Sequence, residues 1–395
     1  MELLILLAVL LTIIAVAKIL KAKELVDGFK DPESDPISEA EIKSASLGWL
    51  LYGVVFFTLV AAQYIAWNKY LLPSAASVHG EEYDSLMNVT LALITAVFYI
   101  THALLFWFGF KYRYRKGHKA YWFPHDNKLE MAWTVVPAAV LIMLITYGMS
   151  TWSDTMYQEV KENPVRVEVV SEQFKWTARF AGKDNVLGEA SFALYGKNSL
   201  GVATKYAIED RLNECKSSIS KLQADSLLND SLVAKGWNRG EKLSEIKQSL
   251  KNYKANVNRL NGMLEEYAVD ASRYDAGLDD YVINSDSIYL PKGRQIIMQF
   301  RSKDVIHSAY LPHFRVQMNT VPGMKTSFTF EPTRTNEEMA EVAYEEGKSF
   351  TGYILLCNKI CGASHFNMKL HIKVVEEEVF QKWMAAQTQF EEAFQ

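Results

Sequence analysis

The chain has 395 residues, 49% hydrophobic and 22% charged, with 42 Lys and Arg against 46 Asp and Glu for a formal net charge of −4. That length has room for about two or three domains, and the mixture requires apolar membrane segments to alternate with well-solvated parts. So small a net charge does not imply a polyanion partner, nothing suggests nucleic acid, and 3 cysteines do not make a disulfide framework.

Residues 3–20 form an apolar run close to the ~20 residues of a membrane span. A signal peptide is the alternative. Against it, Glu2 replaces a basic start, Lys18, Lys21 and Lys23 come late, and no small-residue cleavage site follows. The expectation is a retained span with its N-terminus outside. The polar stretch 21–46 reads as a cytoplasmic loop. A second apolar run, 47–67, has Trp49 and Trp67 at its ends, as membrane interfaces favour. After the short acidic loop 68–86 comes a third run without Asp, Glu, Lys or Arg, 87–110. Lys111, Arg113, Arg115, Lys116 and Lys119 are the densest positive cluster, which faces the cytoplasm by the positive-inside rule. The fourth span, 131–151, returns the chain to the outside. The expected topology is multi-pass in a bacterial inner membrane, with the C-terminal half in the periplasm.

Glu130 opens this fourth span in Leu129-Glu130-Met131-Ala132-Trp133-Thr134. One reading is structural: a first-turn carboxylate meets the helix dipole favourably, by ~0.3–1 kcal/mol. The other is functional, since acids at a membrane edge are proton-path candidates.

From Val165 the period changes to two. Val165, Val167 and Val169 alternate with Arg166, Glu168 and Val170, predicting a half-buried strand. Further short strands lie over 281–301 and 314–330, with Pro291-Lys292-Gly293 and Val321-Pro322-Gly323 as turns. This spacing predicts an all-β sandwich. Between the strands lies an insertion of helical period. Ile208, Leu212, Cys215, Ile219 and Leu222 line one helix. Leu243, Ile246, Leu250, Tyr253, Val257, Leu260, Leu264 and Tyr267 form a heptad seam on a second. Trp237-Asn238-Arg239-Gly240 separates them, so 205–272 is expected to be an antiparallel helical coiled-coil hairpin, with Cys215 as core filler. It is either an ornament or a docking arm for a partner. Residues 376–394 predict an amphipathic helix carrying no chemistry. His371 has the wrong spacing for a ligand, and His313, after Pro312, is expected at the surface.

The remaining stretch concentrates the chemistry. Cys357, Cys361, His365 and Met368 fall within a dozen residues. Soft sulfur with imidazole suits copper, and Met368 is near enough to be a weak axial donor. A second imidazole is required, and His307, expected to end an apolar strand some fifty residues upstream in Asp304-Val305-Ile306-His307-Ser308, is the obvious supplier. Buried thiols, a disulfide and a structural zinc site are the competing readings of the cysteines.

Taken together, Asp304-Val305-Ile306-His307-Ser308, Val321-Pro322-Gly323 and the Cys/Cys/His/Met loop resemble subunit II of the haem–copper cytochrome c oxidases, over roughly 87–200 and 276–390. The resemblance implies transmembrane α-helices joined to a cupredoxin-like Greek-key sandwich, with the metal loop between the last two strands. It implies a dinuclear copper A centre: bridging Cys357 and Cys361, terminal His307 and His365, axial Met368 and the backbone carbonyl of Lys359. It also implies partners, namely oxidase subunits I and III and cytochrome c or a complex-bound haem c donor, and places Glu130 at the mouth of a proton channel. The corresponding division is 1–70 for extra N-terminal membrane helices and 71–155 for the oxidase-type transmembrane hairpin. The periplasmic domain takes 156–204 and 273–375, the inserted hairpin 205–272, and the C-terminal helix 376–395.

Two positions depart from the family pattern. Lys359 stands where a Glu would reach a magnesium ion at the subunit I interface, and an ammonium cannot ligate a hard cation. Gln173-Phe174-Lys175-Trp176 replaces a stretch with two tryptophans, leaving Trp176 as the candidate for electron entry. Three rivals to the oxidase reading are a denitrification-type copper A protein, a metal-free quinol-oxidase subunit and a non-catalytic copper-delivery protein.

Overall fold

The computed structural model describes residues 11–12, 14–19, 21–23, 26, 39–115, 118–119 and 121–394. Most of the expected first span, 3–20, and much of the 21–46 loop lie outside the described residues; 11–12, 14–19 and 21–23 are helical. Among the described residues, three helices are long and apolar enough to cross a membrane. These are α1 (Glu39–Trp67), α2 (Val78–Lys111) and α3 (Asn127–Met156). Around α1 and the later part of α2, aromatic rings do the packing. Phe106 lies 5.1 Å from Trp49 and 5.9 Å from Phe56, centroid to centroid. Gly53 lets that ring approach, since a Cβ there would lie 2.7 Å from it.

The 34 residues of α2 rise about 50 Å, more than the ~30 Å of a hydrocarbon core. Its first turns serve the β domain instead. Arg315 grips Asp84 through Nε and Nη2, both at 2.8 Å. Arg334 reaches Glu81 at 3.2 Å, and His79 packs on Phe328. The same corner corrects one expectation: His313 is not a surface residue. It is wedged edge-on between Phe350 and Tyr353, where burial, then the charge of Arg315, lowers it to about 4.

The β domain is two sheets face to face. One runs β11-β3-β2-β1-β5-β8 and the other β4-β10-β9-β6-β7. The strands are β1 (Val165–Glu172), β2 (Lys175–Phe180), β3 (Tyr281–Ile283), β4 (Ser287–Pro291), β5 (Ile296–Ser302), β6 (His307–Leu311), β7 (Val316–Thr320), β8 (Thr326–Phe330), β9 (Tyr353–Cys357), β10 (Lys369–Val375) and β11 (Thr388–Gln389). Val165, Val167 and Val169 of β1 meet Leu355, Ile372 and Val374 of the other sheet in one core, as period-two alternation requires. The loop from β9 to β10 carries the cysteines, where the sequence placed it.

Strand β1 departs from the half-buried expectation, because its other face is covered too. Residues of the segment before the insertion and of the chain end close over it, with Val170, Leu200, Val202, Val282 and Phe390 forming a second apolar layer. Beside that layer lies a buried ionic cluster. Glu168 accepts from Arg179 Nε at 2.7 Å and from Arg301 Nε and Nη2, both at 2.7 Å. Arg179 also pairs with Asp280 and donates to the Gly188 carbonyl at 2.6 Å, while Arg301 donates to the Leu200 carbonyl at 2.8 Å. Burial alone would raise Glu168, but the two guanidiniums hold it down at about 2. Asp280 is pushed up by burial to about 7 against the pull of Arg179.

From this base the insertion projects as α4 (Lys205–Ala234) and α5 (Gly240–Val269), the hairpin the heptad seam predicts. Thr204 caps α4 through its side chain, accepting from the Ala207 N–H at 3.2 Å. Cys215 is core filler, fully buried beside Ile208, Leu212 and Leu260. Between β8 and β9, α6 (Asn336–Glu345) is opened by a Thr335/Glu338 capping box. The chain end is not one helix: α7 (Glu377–Ala385) stops, β11 pairs with β3, and α8 (Phe390–Phe394) follows. Trp383 of α7 stacks on Tyr289 at 4.8 Å, so the tail closes both sheets.

Removing one member of the buried cluster strands the others. Arg301→Met is expected to destabilise the chain by about 3–5 kcal/mol in denaturant unfolding followed by tryptophan fluorescence. Lys161→Ala breaks an exposed contact with Glu331 and is expected to cost less than ~1 kcal/mol.

Candidate metal centre

Strand pairing assembles the site before any loop is considered. Strands β6 and β9 are antiparallel neighbours, with Ala309 opposite Cys357 and Tyr310 opposite Leu356. His307 is the first residue of β6, so it projects beside the last residue of β9. Its ring is fully buried, with Nδ1 3.8 Å from Cys357 Sγ. The loop then turns back. Cys361 Sγ comes to 3.8 Å from Cys357 Sγ, 3.6 Å from His365 Nδ1 and 3.9 Å from Met368 Sδ. The Lys359 carbonyl lies 3.2 Å from Cys357 Sγ. Both cysteines are buried free thiols, so the disulfide reading is not what the fold holds. The donor atoms of His307, Cys357 and Cys361 lie within 4.8 Å of one another. Every side chain the sequence nominated as a copper ligand therefore meets at one end of the sandwich. The donor set fits a metal ion: two thiols lie together, with an imidazole beside each.

Asp304 holds the first imidazole. His307 Nε2 donates to its Oδ1 at 2.9 Å, which leaves Nδ1 as the nitrogen facing sulfur. Burial works to raise the Asp304 carboxyl, but hydrogen bonds from His307 and from the Gln173 and Val305 N–H groups hold it below the usual range. The Cys361 thiol is pushed up to about 11, by burial first and by the neighbouring Cys357 second. Ligation needs the thiolate, so metal uptake has to displace protons here.

Lys359 turns its side chain outward, among the exposed residues of the loop, and only its carbonyl faces the sulfurs. Trp176 is not the exposed aromatic that electron entry at the surface requires. It is 6% exposed and lies edge-on to His307 at 6.1 Å. Phe174 is the aromatic nearer the surface, half-buried against the metal loop at Gly362.

Sequence reasoning missed the part played by Gln173. Its side-chain amide donates to the Cys361 carbonyl, across a separation in sequence that leaves no local signal. Glu130 lies in the first turn of α3. Its Oε1 accepts weakly from the Asp126 N–H at 3.4 Å and lies 3.5 Å from His125 Nδ1. The cap itself is Asp126, whose Oδ1 accepts from the N–H groups of Lys128 and Leu129 at 2.9 and 3.1 Å. Glu130 is thus released from the main capping duty.

Residues 65–150 match the family model for the transmembrane domain of cytochrome c oxidase subunit II, and 248–375 match the model for its periplasmic domain. The alternative cytochrome c oxidase subunit 2 of Bradyrhizobium diazoefficiens is 22% identical over 307 residues, 78% of this chain and 80% of that protein. Cytochrome c oxidase subunit 2 of Cereibacter sphaeroides is 22% identical over 314 residues, 79% of this chain and 78% of that protein. Among solved structures, the periplasmic domain of subunit II of cytochrome oxidase from Bradyrhizobium japonicum matches with 27% identity and a TM-score of 0.21, over 26% of this chain and 63% of that one. The chain is a membrane protein with a periplasmic C-terminal domain, and it belongs to the cytochrome c oxidase subunit II family.

Proposed function

We propose that the chain is the electron-entry subunit of a bacterial inner-membrane oxidase. It would take single electrons from cytochrome c, or from a complex-bound haem c donor, and pass them to haem a of subunit I, where oxygen is reduced. The observation that carries this reading is the convergence of two buried thiols, two imidazoles, a thioether and one backbone carbonyl within 3.2–3.9 Å contacts. When bound, a copper pair supplies one-electron storage with little change of geometry. Cys357 and Cys361 would bridge it, His307 and His365 would end it, and Met368 and the Lys359 carbonyl would complete it. The thioether separates this set from a structural zinc site, which takes only thiolate and imidazole.

The residues' own work is to hold and to exclude. Asp304 keeps the His307 tautomer, and burial by the sandwich core keeps water from the sulfurs. With Trp176 inside, an electron arriving at Phe174 and the exposed loop would pass inward by His307 or the sulfurs directly, Trp176 being at most an inner step. Lys175 and Lys303, paired with Glu172, leave this entry face less acidic than a basic donor prefers. The magnesium site of the family is not proposed here, because Lys359 offers no carboxylate. We further assign Glu130, with His125 beside it, to proton uptake at the cytoplasmic edge of α3, in support of proton pumping by subunit I. A channel mouth favours the oxidase over a denitrification-type protein, and the complete ligand set favours it over a metal-free quinol-oxidase subunit.

Copper analysis and electron paramagnetic resonance on the full chain test the centre. Two coppers per chain and a seven-line mixed-valence signal are expected, because two equivalent nuclei share one unpaired electron. One copper with a four-line signal would instead favour a copper-delivery role. Copper affinity is expected to weaken as pH falls, since protons compete for the two thiolates. Glu130→Gln, in the assembled oxidase, is expected to slow turnover and proton uptake while leaving the copper signal untouched. Unchanged proton uptake would reduce Glu130 to a helix-end residue.

A further inference from the structure

The metal loop and the His307 strand are separate elements, yet one turn touches both. This is the turn from β1 to β2, residues 173–174. On one side the Gln173 amide Nε2 donates to the Cys361 carbonyl. On the other, the Gln173 backbone N–H donates to Asp304 Oδ2 at 2.7 Å. The second oxygen of that carboxylate accepts from His307 Nε2 at 2.9 Å and from the Val305 N–H at 2.7 Å. The neighbouring Phe174 ring fills the space over Gly362, where a Cβ would lie 2.8 Å from both that ring and the Gln173 amide nitrogen. Gly362 itself has φ +142°, a backbone region open to glycine. The loop residue after Cys361 is therefore shaped to the turn.

We propose that Gln173 is a positioning residue for the metal centre, a clamp that fixes Cys361 relative to His307 through its side chain on one and its backbone on the other. The inference rests on the copper reading above for what the centre holds, and on the fold alone for the clamp. A metal site tolerates little error in ligand placement, and partners outside the ligand shell typically set affinity by about 10–100-fold. Here the two halves of the site come from elements 50 residues apart, His307 and Cys357. The β6–β9 ladder ends at Cys357, so Cys361 sits in the core without a paired strand partner. Gln173 supplies that missing constraint. Its side chain reaches across to the loop, so its loss need not disturb β1 or β2.

The test uses the full chain in detergent. Gln173→Met keeps the length and removes the donor; Gln173→Glu places an acceptor against the Cys361 carbonyl. Both are expected to release copper to a chelator about 10-fold faster or more, and to alter the copper hyperfine pattern and reduction potential. Lys161→Ala, whose exposed side chain pairs with Glu331, should leave all three at wild type. A second measurement uses the metal-free chain. Alkylation of Cys361 is expected to quicken at least about threefold in Gln173→Met as local opening becomes easier, with buried Cys215 as internal reference. The double variant Gln173→Met/Asp304→Asn is expected to fall short of the sum of its parts, since both act on one linkage. Wild-type copper release, spectrum and alkylation in Gln173→Met would overturn the clamp. A wild-type chain binding fewer than two coppers would overturn the dinuclear reading instead, and the alkylation experiment would still decide the clamp.

Discussion

The short ladder between β6 and β9 is the constraint on which the site depends. Ala309 opposite Cys357 fixes two strand ends side by side, and with them an imidazole and a thiol that the chain keeps 50 residues apart. A slip of one residue would turn His307 to the opposite face of its sheet. The slip is opposed by packing on both sides of that register. Ala309 and Leu311 are buried in the core, and β7 pairs His307 with Thr320 along the other edge. The ligand geometry is thus set by hydrophobic burial and backbone pairing, before any metal is considered.

Bringing thiols and an imidazole together in a buried place has a cost that the apolar core does not recover. Cys357, Cys361 and His307 each have little or no contact with solvent, and burial opposes the thiolate form, as the raised Cys361 shows. A metal cation reverses that penalty, because it replaces two protons and provides the missing opposite charge. The site is therefore more comfortable filled than empty. The same reasoning explains why Lys359 is tolerated in the loop. Only its carbonyl turns toward sulfur, and its charge stays in water.

Much of this was legible in the sequence, for identifiable reasons. The ligands announce themselves because soft donors are rare and closely spaced, and the membrane runs and heptad seam repeat over enough residues to exceed noise. The sandwich was legible from the alternation of Val165, Val167 and Val169. What escaped were contacts made across long separations. Glu168 reads as a solvent-facing position in β1, yet it is buried because residues near Leu200 and Asp280 fold over it. His313 follows a proline and looks like a turn residue, yet Phe350 and Tyr353 enclose it. Trp176 looks like a surface aromatic by analogy, yet its place on β2 points it into the core beneath His307. The tail reads as one amphipathic helix, but pairing of Thr388 with Val282 draws part of it into the sheet. Local period reports which residues share a face and is silent about what will cover that face.

The ionic cluster ties the segments that flank the insertion to the central strand. A hairpin of two 30-residue helices is a long lever on a small sandwich, and apolar contacts alone are non-directional. Arg301 and Arg179 instead bind named carbonyls, Leu200 and Gly188, while both hold Glu168 on the central strand β1. Directional bonds to buried charges resist rotation as well as separation. Strand β1 in turn leads directly into Gln173, which contacts the metal loop. Load on the hairpin would then be borne by the cluster at its base, at Glu168, five residues before Gln173. The sheet beyond it is held by the apolar core, where Val167 and Val169 pack against the opposite sheet. An added lever can thus be accommodated without loosening the ligands, because its anchorage and the ligand clamp share a strand but not a contact.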